Sequence, residues 1–148
     1  MTLSEKVQKD LVAAMRAKDE LRLSVLRGIK SAITYKETEK IRPIDETEGI
    51  QLLQTLVKQR KESIDQFTKG NRPELAEKET KELAIIETYL PAAATDAEMD
   101  AAIAKAIAET SATSMKQMGA VVKAAKLALE GKNVDGKALS DRVRAKLT

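Results

Sequence analysis

The sequence predicts an all-α protein: an N-terminal four-helix domain over residues 1–92, followed by a three-helix tail domain over residues 93–148. Three observations carry this. Apolar residues recur at intervals of three and four along nearly the whole chain, and nowhere do they alternate as a half-buried strand requires. Composition shifts after Pro91, with 6 of the 22 alanines in residues 1–90 and 16 in residues 91–148. Pro91 itself stops a helix, and Pro91-Ala92-Ala93-Ala94 reads as a linker between the two segments.

Each element has its own signals. Leu3, Val7, Leu11 and Met15 mark one face of a first helix, with Thr2 and Glu5 at capping-box spacing in front of it. Asp19 is placed to cap a second helix carrying Leu21 or Leu23, Val25, Leu26, Ile29 and Ile33. Pro43 ends that helix, because the residue before a proline avoids the helical region. A long third helix follows through Ile50, Leu53, Leu56, Val57, Ile64 and Phe67, and Gly70 stops it as the C′ residue, the position that favours glycine's left-handed backbone. Pro73 suits the first turn of a fourth helix through Leu75, Leu83, Ile86 and Leu90. Its charged opening, Glu77 to Glu82, reads as a solvated face, so the Gly70 tip of this hairpin should project beyond the core.

In the tail, Thr95 and Glu98 repeat the capping-box spacing before Met99, Ile103 and Ile107. Ser114 and Gln117 do so again before Met118, Val121, Val122, Ala125 and Leu129. Gly131 ends that helix, Asn133-Val134-Asp135-Gly136 is turn chemistry, and Leu139, Val143 and Leu147 mark a short last helix. Gly28 and Gly119 fall inside helical patterns, where glycine costs about 1 kcal/mol against alanine. Close helix packing is the expected reason, and close approach of a ligand is the alternative.

Composition removes much of enzymology. The chain has no Cys and no His, which excludes disulfides, Cys/His metal sites, the common catalytic triads and any imidazole acid-base group. The glycines are too scattered for a phosphate loop, no EF-type loop is present, and the carboxylate clusters lie in stretches that read as exposed. No catalytic residue, cofactor or metal is therefore expected. No apolar run approaches the roughly 20 residues that span a bilayer, and the first residues lack an apolar signal core. The expectation is a cytoplasmic monomer that does not engage a membrane.

Charge is the one asymmetry. Residues 1–90 hold 17 basic and 16 acidic groups; from Ser111 onward there are 8 basic against 3 acidic. Lys116, Lys123 and Lys126 share one helical side, and Lys132 and Lys137 flank the following turn. Such a cluster suits a phosphate backbone, whose binding is driven by counterion release. No aromatic residue interleaves it, which argues against stacking on single strands at this place. Lysines that merely keep an Ala-rich bundle soluble are the competing account.

The stretches Arg22-Leu23-Ser24-Val25-Leu26-Arg27, Val57-Lys58-Gln59-Arg60-Lys61-Glu62-Ser63-Ile64 and Glu87-Thr88-Tyr89-Leu90-Pro91 resemble the GatB/YqeY family. So do Ser114-Met115-Lys116-Gln117-Met118-Gly119 and Asp135-Gly136-Lys137. They occur in order over nearly the whole chain, so the resemblance is to the stand-alone YqeY-like protein. The C-terminal part resembles the tail domain of the B subunit of the glutamine-dependent aspartyl/glutamyl-tRNA amidotransferase. That resemblance implies a helical domain joined to a tail that contacts tRNA, and the label of a carbon–nitrogen ligase with glutamine as amido donor. The motif positions carried over are Ser114, Met118, Gly119, Asp135 and Gly136, with Ser114 capping and Met118 packing, while Lys116 and Lys137 are the phosphate candidates. The leading functional expectation is a tRNA- or RNA-binding accessory protein without its own catalytic centre. The alternative is a protein–protein adaptor that docks a partner through the hairpin 50–90.

Overall fold

The computed structural model describes residues 1–148, and every regular element in it is helical. The chain divides into two compact units, Met1–Leu90 and Pro91–Thr148.

The first unit holds α1 (Leu3–Ala17), α2 (Glu20–Lys40), α3 (Glu46–Lys69) and α4 (Pro73–Glu87). Helix α1 starts where the Thr2 hydroxyl accepts the Glu5 amide at 3.1 Å, and α2 where Asp19 accepts the Arg22 amide at 3.1 Å. The Asp45 carboxylate and Glu48 form a reciprocal capping box on α3. The core is aliphatic, built on Val7, Leu11, Leu26, Ile29, Ile33, Leu53 and Ile86. Ala14, in place of Met15, completes the buried face of α1, and Met15 is exposed.

Two turns differ from the sequence expectation. Gly70 is not left-handed; Asn71 takes the positive φ, and Gly70 serves by lacking a Cβ that would sit 3.2 Å from the Gln66 carbonyl oxygen. Helix α4 ends at Glu87, and a turn carries the chain through Thr88 to Leu90. No residue from 54 to 81 is buried, so the distal part of the α3–α4 hairpin contributes only half-buried apolar groups.

The second unit holds α5 (Asp96–Thr110), a short 3-10 turn (Met115–Gln117), α6 (Met118–Ala128) and α7 (Gly136–Leu147). Its core is Met99, Ala102, Ile103, Ala106, Val121, Ala125, Leu129, Leu139 and Val143. Ala102, Ala106 and Ala125 are buried in this core and let α5 and α6 approach closely, whereas most of the other alanines of the unit are exposed. The 92–94 stretch is not a free linker. The Ala94 amide donates to the Asn133 carbonyl at 2.9 Å and the Asn133 amide to the Ala92 carbonyl at 3.1 Å, so it is tied to the α6–α7 turn.

Candidate nucleic-acid interface

The basic residues singled out in the tail fall into two groups once their partners are known. Lys132 lies 3.4 Å from the Glu98 carboxylate, which also accepts the Thr95 amide at 3.1 Å as the returning half of a capping box. The Thr95 amide first, and then Lys132, hold the Glu98 carboxyl below its usual range. Arg142 reaches Asp96 at 2.7 Å and Asp100 at 2.9 Å, joining α7 to the first turns of α5. These two cations serve the fold.

Lys116, Lys123, Lys126 and Lys137 are exposed and form no ion pair. Lys116 lies in the 3-10 turn, so one continuous α-helix does not carry the expected stripe. Lys123 and Lys126 are neighbours on α6. The Lys126 Nζ comes within 4.0 Å of the place a Cβ would occupy on Gly136, and so reaches the start of α7, where Lys137 is the second residue. The Asp135 carboxylate caps that start, accepting the Lys137 amide at 3.0 Å and the Ala138 amide at 3.3 Å. Asp135 and Gly136 thus set the entry of α7 and leave room for Lys126.

Ser114 makes no side-chain cap bond; Gln117 accepts the Thr113 amide at 2.7 Å in its place. Met118 is half-buried against the tail core. A Cβ on Gly119 or Gly28 would meet nothing within 4 Å, so neither exists for close helix packing. Chemically, the tail surface offers ammonium groups and an open stretch of backbone at Gly119. No cluster of three or more Asp or Glu side chains is placed to hold a metal ion.

Two other polar constellations went unnoticed in the sequence. The Arg60 Nη1 donates to Glu79 at 2.9 Å and to Glu82 at 2.6 Å, clasping α3 to α4, and Glu82 is only 4% exposed. Burial acts to lower the Arg60 pKa, but the two carboxylates raise it on balance. The Glu77–Glu82 stretch is therefore not wholly a solvated face. Glu79, Glu82, Leu83 and Ile86 follow at helical core spacing, a signal that could have found the clasp. The second constellation joins the turn after α4 to α1. Tyr89 donates to Asp10 at 2.5 Å, with the Lys6 ammonium 5.1 Å from the centre of the ring. Burial, and then the Asp10 bond, push the Tyr89 phenol well above its usual range.

Residues 4–147 match the family described as Yqey-like protein, a span that covers both units. Among curated relatives is "Altered inheritance of mitochondria protein 41, mitochondrial" of Lachancea thermotolerans, 41% identical over 106 residues, 70% of this chain and 57% of the relative. The protein of the same name in Kluyveromyces lactis is 38% identical over 107 residues, with the same coverage. That of Vanderwaltozyma polyspora is 42% identical over 85 residues, 57% of this chain and 46% of the relative. The chain thus spans about half the length of the curated relatives it matches. Their names point to mitochondria, and this overturns the expectation of a cytoplasmic address, which rested on the lack of an apolar signal core and of a bilayer-length apolar run. No helix is long and apolar enough to cross a membrane. With a family match running from residue 4 to residue 147, the chain belongs to the YqeY-like protein family.

Proposed function

We propose that this chain is an RNA-binding accessory protein, with tRNA as its ligand, and that it carries no catalytic centre of its own. The observation that carries the reading is the division of the tail's cations. Lys132 and Arg142 are consumed by carboxylates of α5, whereas Lys116, Lys123, Lys126 and Lys137 stay exposed and unpaired on α6, its preceding turn and the start of α7. Lysine is a compact point charge suited to backbone phosphate oxygens, so these groups position an RNA without reading its sequence. The resemblance of the tail to that of the tRNA amidotransferase B subunit supports the choice of tRNA. Amide transfer is not part of the proposal, because no nucleophile sits beside a base in this surface.

The test is binding of total tRNA to the full chain by fluorescence anisotropy at physiological salt. Changing Lys116, Lys126 and Lys137 together to Gln should remove most of the binding while circular dichroism stays unchanged. Equal binding by the triple variant would move the RNA surface elsewhere, and absence of salt-sensitive binding by the wild type would end the reading.

A second reading, an adaptor docking through the hairpin 50–90, is favoured by one observation: the hairpin from 54 to 81 buries no residue and leaves Leu56, Val57, Ile64, Phe67 and Leu75 partly exposed. A substitution such as Leu75→Glu would disturb a protein partner there and leave tRNA binding intact.

A further inference from the structure

The first unit carries a surface that the tail reading does not use. Helix α2 packs inward through Leu23, Val25, Leu26, Ile29 and Ile33. Its opposite face presents Ser24, Gly28, Ser31 and Tyr35 at spacings of four, three and four, with Arg27 alongside, and all five are exposed. Tyr35 is 73% exposed, while Tyr89 is buried and Phe67 half-buried. An aromatic ring that stands out of an aromatic-poor protein and meets nothing in it is a large apolar surface left in water. Gly28 interrupts the middle of a 21-residue helix where a Cβ would meet nothing within 4 Å, so the fold gains nothing from it. What glycine leaves there is backbone that an outside group can approach closely.

Charge selects the occupant. Residues 1–36, which hold α1 and most of α2, carry eight basic groups against four acidic; residues 37–90 carry nine against twelve. Lys9, Arg16 and Arg27 are exposed and pair with no carboxylate, and Lys30 is held only by the neutral Gln8 at 2.7 Å. Glu20 and Glu39 close the two ends of the face, four residues before Ser24 and four after Tyr35. Between them lie Arg27, hydroxyls, bare backbone and one ring, while Lys9 and Arg16 belong to α1 and Lys30 reaches toward it. A polyanion that also offers flat aromatic groups meets every part of this surface; an acidic protein or a lipid headgroup leaves the ring unused.

We propose that the outer face of α2 binds an unpaired stretch of RNA, with one base stacked on Tyr35 and phosphates held by Arg27 and the neighbouring cations. This surface is independent of the tail lysines and differs from them in kind, since the tail has no aromatic residue at all. The probe is a fluorescent oligouridylate of about 16 nucleotides, long enough to occupy a single-strand site and unable to pair with itself. Titrated with the full chain, it should bind, and Tyr35→Ala should weaken binding about tenfold, as should Arg27→Gln. Both residues are exposed, so thermal melting should be unchanged by either substitution. A 4-thiouridine in the probe should crosslink to the peptide containing Tyr35. In the tail triple Lys→Gln variant, the tenfold effect of Tyr35→Ala should persist, which separates the two surfaces. Oligouridylate affinity unaffected by Tyr35→Ala would overturn the proposal, whatever tRNA does at the tail. Equal or tighter binding to polyglutamate, or to anionic phospholipid vesicles, would also overturn it.

Discussion

The α3–α4 hairpin and the tail are both rich in charge and both leave some cations unpaired, Lys58, Lys61 and Lys78 in the hairpin among them. Residues 46–87, however, hold nine acidic groups against seven basic, and residues 111–148 three against eight. In the hairpin, Arg60 is clasped between Glu79 and Glu82, Lys69 lies 3.0 Å from Asp65, and Lys81 lies 3.4 Å from Glu77. In the tail, two cations tie α7 and its preceding turn to α5, and the exposed Lys116, Lys123, Lys126 and Lys137 form no ion pair. The difference teaches that neither net charge nor pairing alone says where an anion can bind, because an unpaired lysine set among carboxylates offers an anion little. Pairing geometry decides which cations remain available, and a segment whose count looks basic loses part of that excess to its own carboxylates.

The sharpest way to break the comparison is at the clasp. Arg60→Ala leaves Glu82 buried without a partner, and removing one member of a buried pair costs about 3–5 kcal/mol. Arg60 is itself 26% exposed, so a destabilisation of about 2–3 kcal/mol is expected from urea melts. A change below about 0.5 kcal/mol would make the clasp an ordinary surface pair. Next in size, Gly28→Ala should stabilise the protein by about 1 kcal/mol, because helix propensity improves and no neighbour is struck. A lowered melting temperature would reveal a packing role that the geometry lacks.

Acid should distinguish paired from free charge as well. The Arg42 bond first, and then Lys40, hold the Glu48 carboxyl far below its usual range at the α2–α3 turn. A carboxylate with a depressed folded pKa stabilises the fold above its unfolded value of about 4.3, and that contribution is lost as pH falls through the folded value. Thermal melts of Glu48→Gln should therefore lose less stability than wild type between about pH 4.3 and pH 2, and parallel curves would deny the effect. Smallest of all, the tail triple Lys116→Gln, Lys126→Gln, Lys137→Gln should change stability by less than about 0.5 kcal/mol, as expected for unpaired surface groups.

Much of the fold was legible in the sequence because its signals are local. Asp19, Thr95 and Pro73 lie where the caps and the first turn of α4 require them, and the aliphatic spacing identifies Leu26, Ile33, Ile103 and Leu139 as core. Errors arose where two residue types compete for one local role. Asn71 took the left-handed position beside Gly70, and Gln117 capped back onto Thr113 and left Ser114 free of that task. The candidate surface was legible only as a list of lysines. Whether Lys132 is free depends on Glu98, a residue 34 positions away, and such long-range pairing leaves no mark in local spacing. The Arg60 clasp is masked in the sequence because a run of charges reads as solvated, although Glu82 follows the core period.

The central claim is that the unpaired tail lysines hold RNA phosphates, and the salt dependence of tRNA binding tests it most directly. Log affinity should fall linearly with log salt concentration, and each phosphate contact removed should lessen the slope by about 0.7–0.9. The account predicts a slope shallower by about 2–3 for the triple variant at Lys116, Lys126 and Lys137, against little change for Lys58→Gln, Lys61→Gln, Lys69→Gln in the hairpin. Identical slopes for wild type and the tail variant would contradict it.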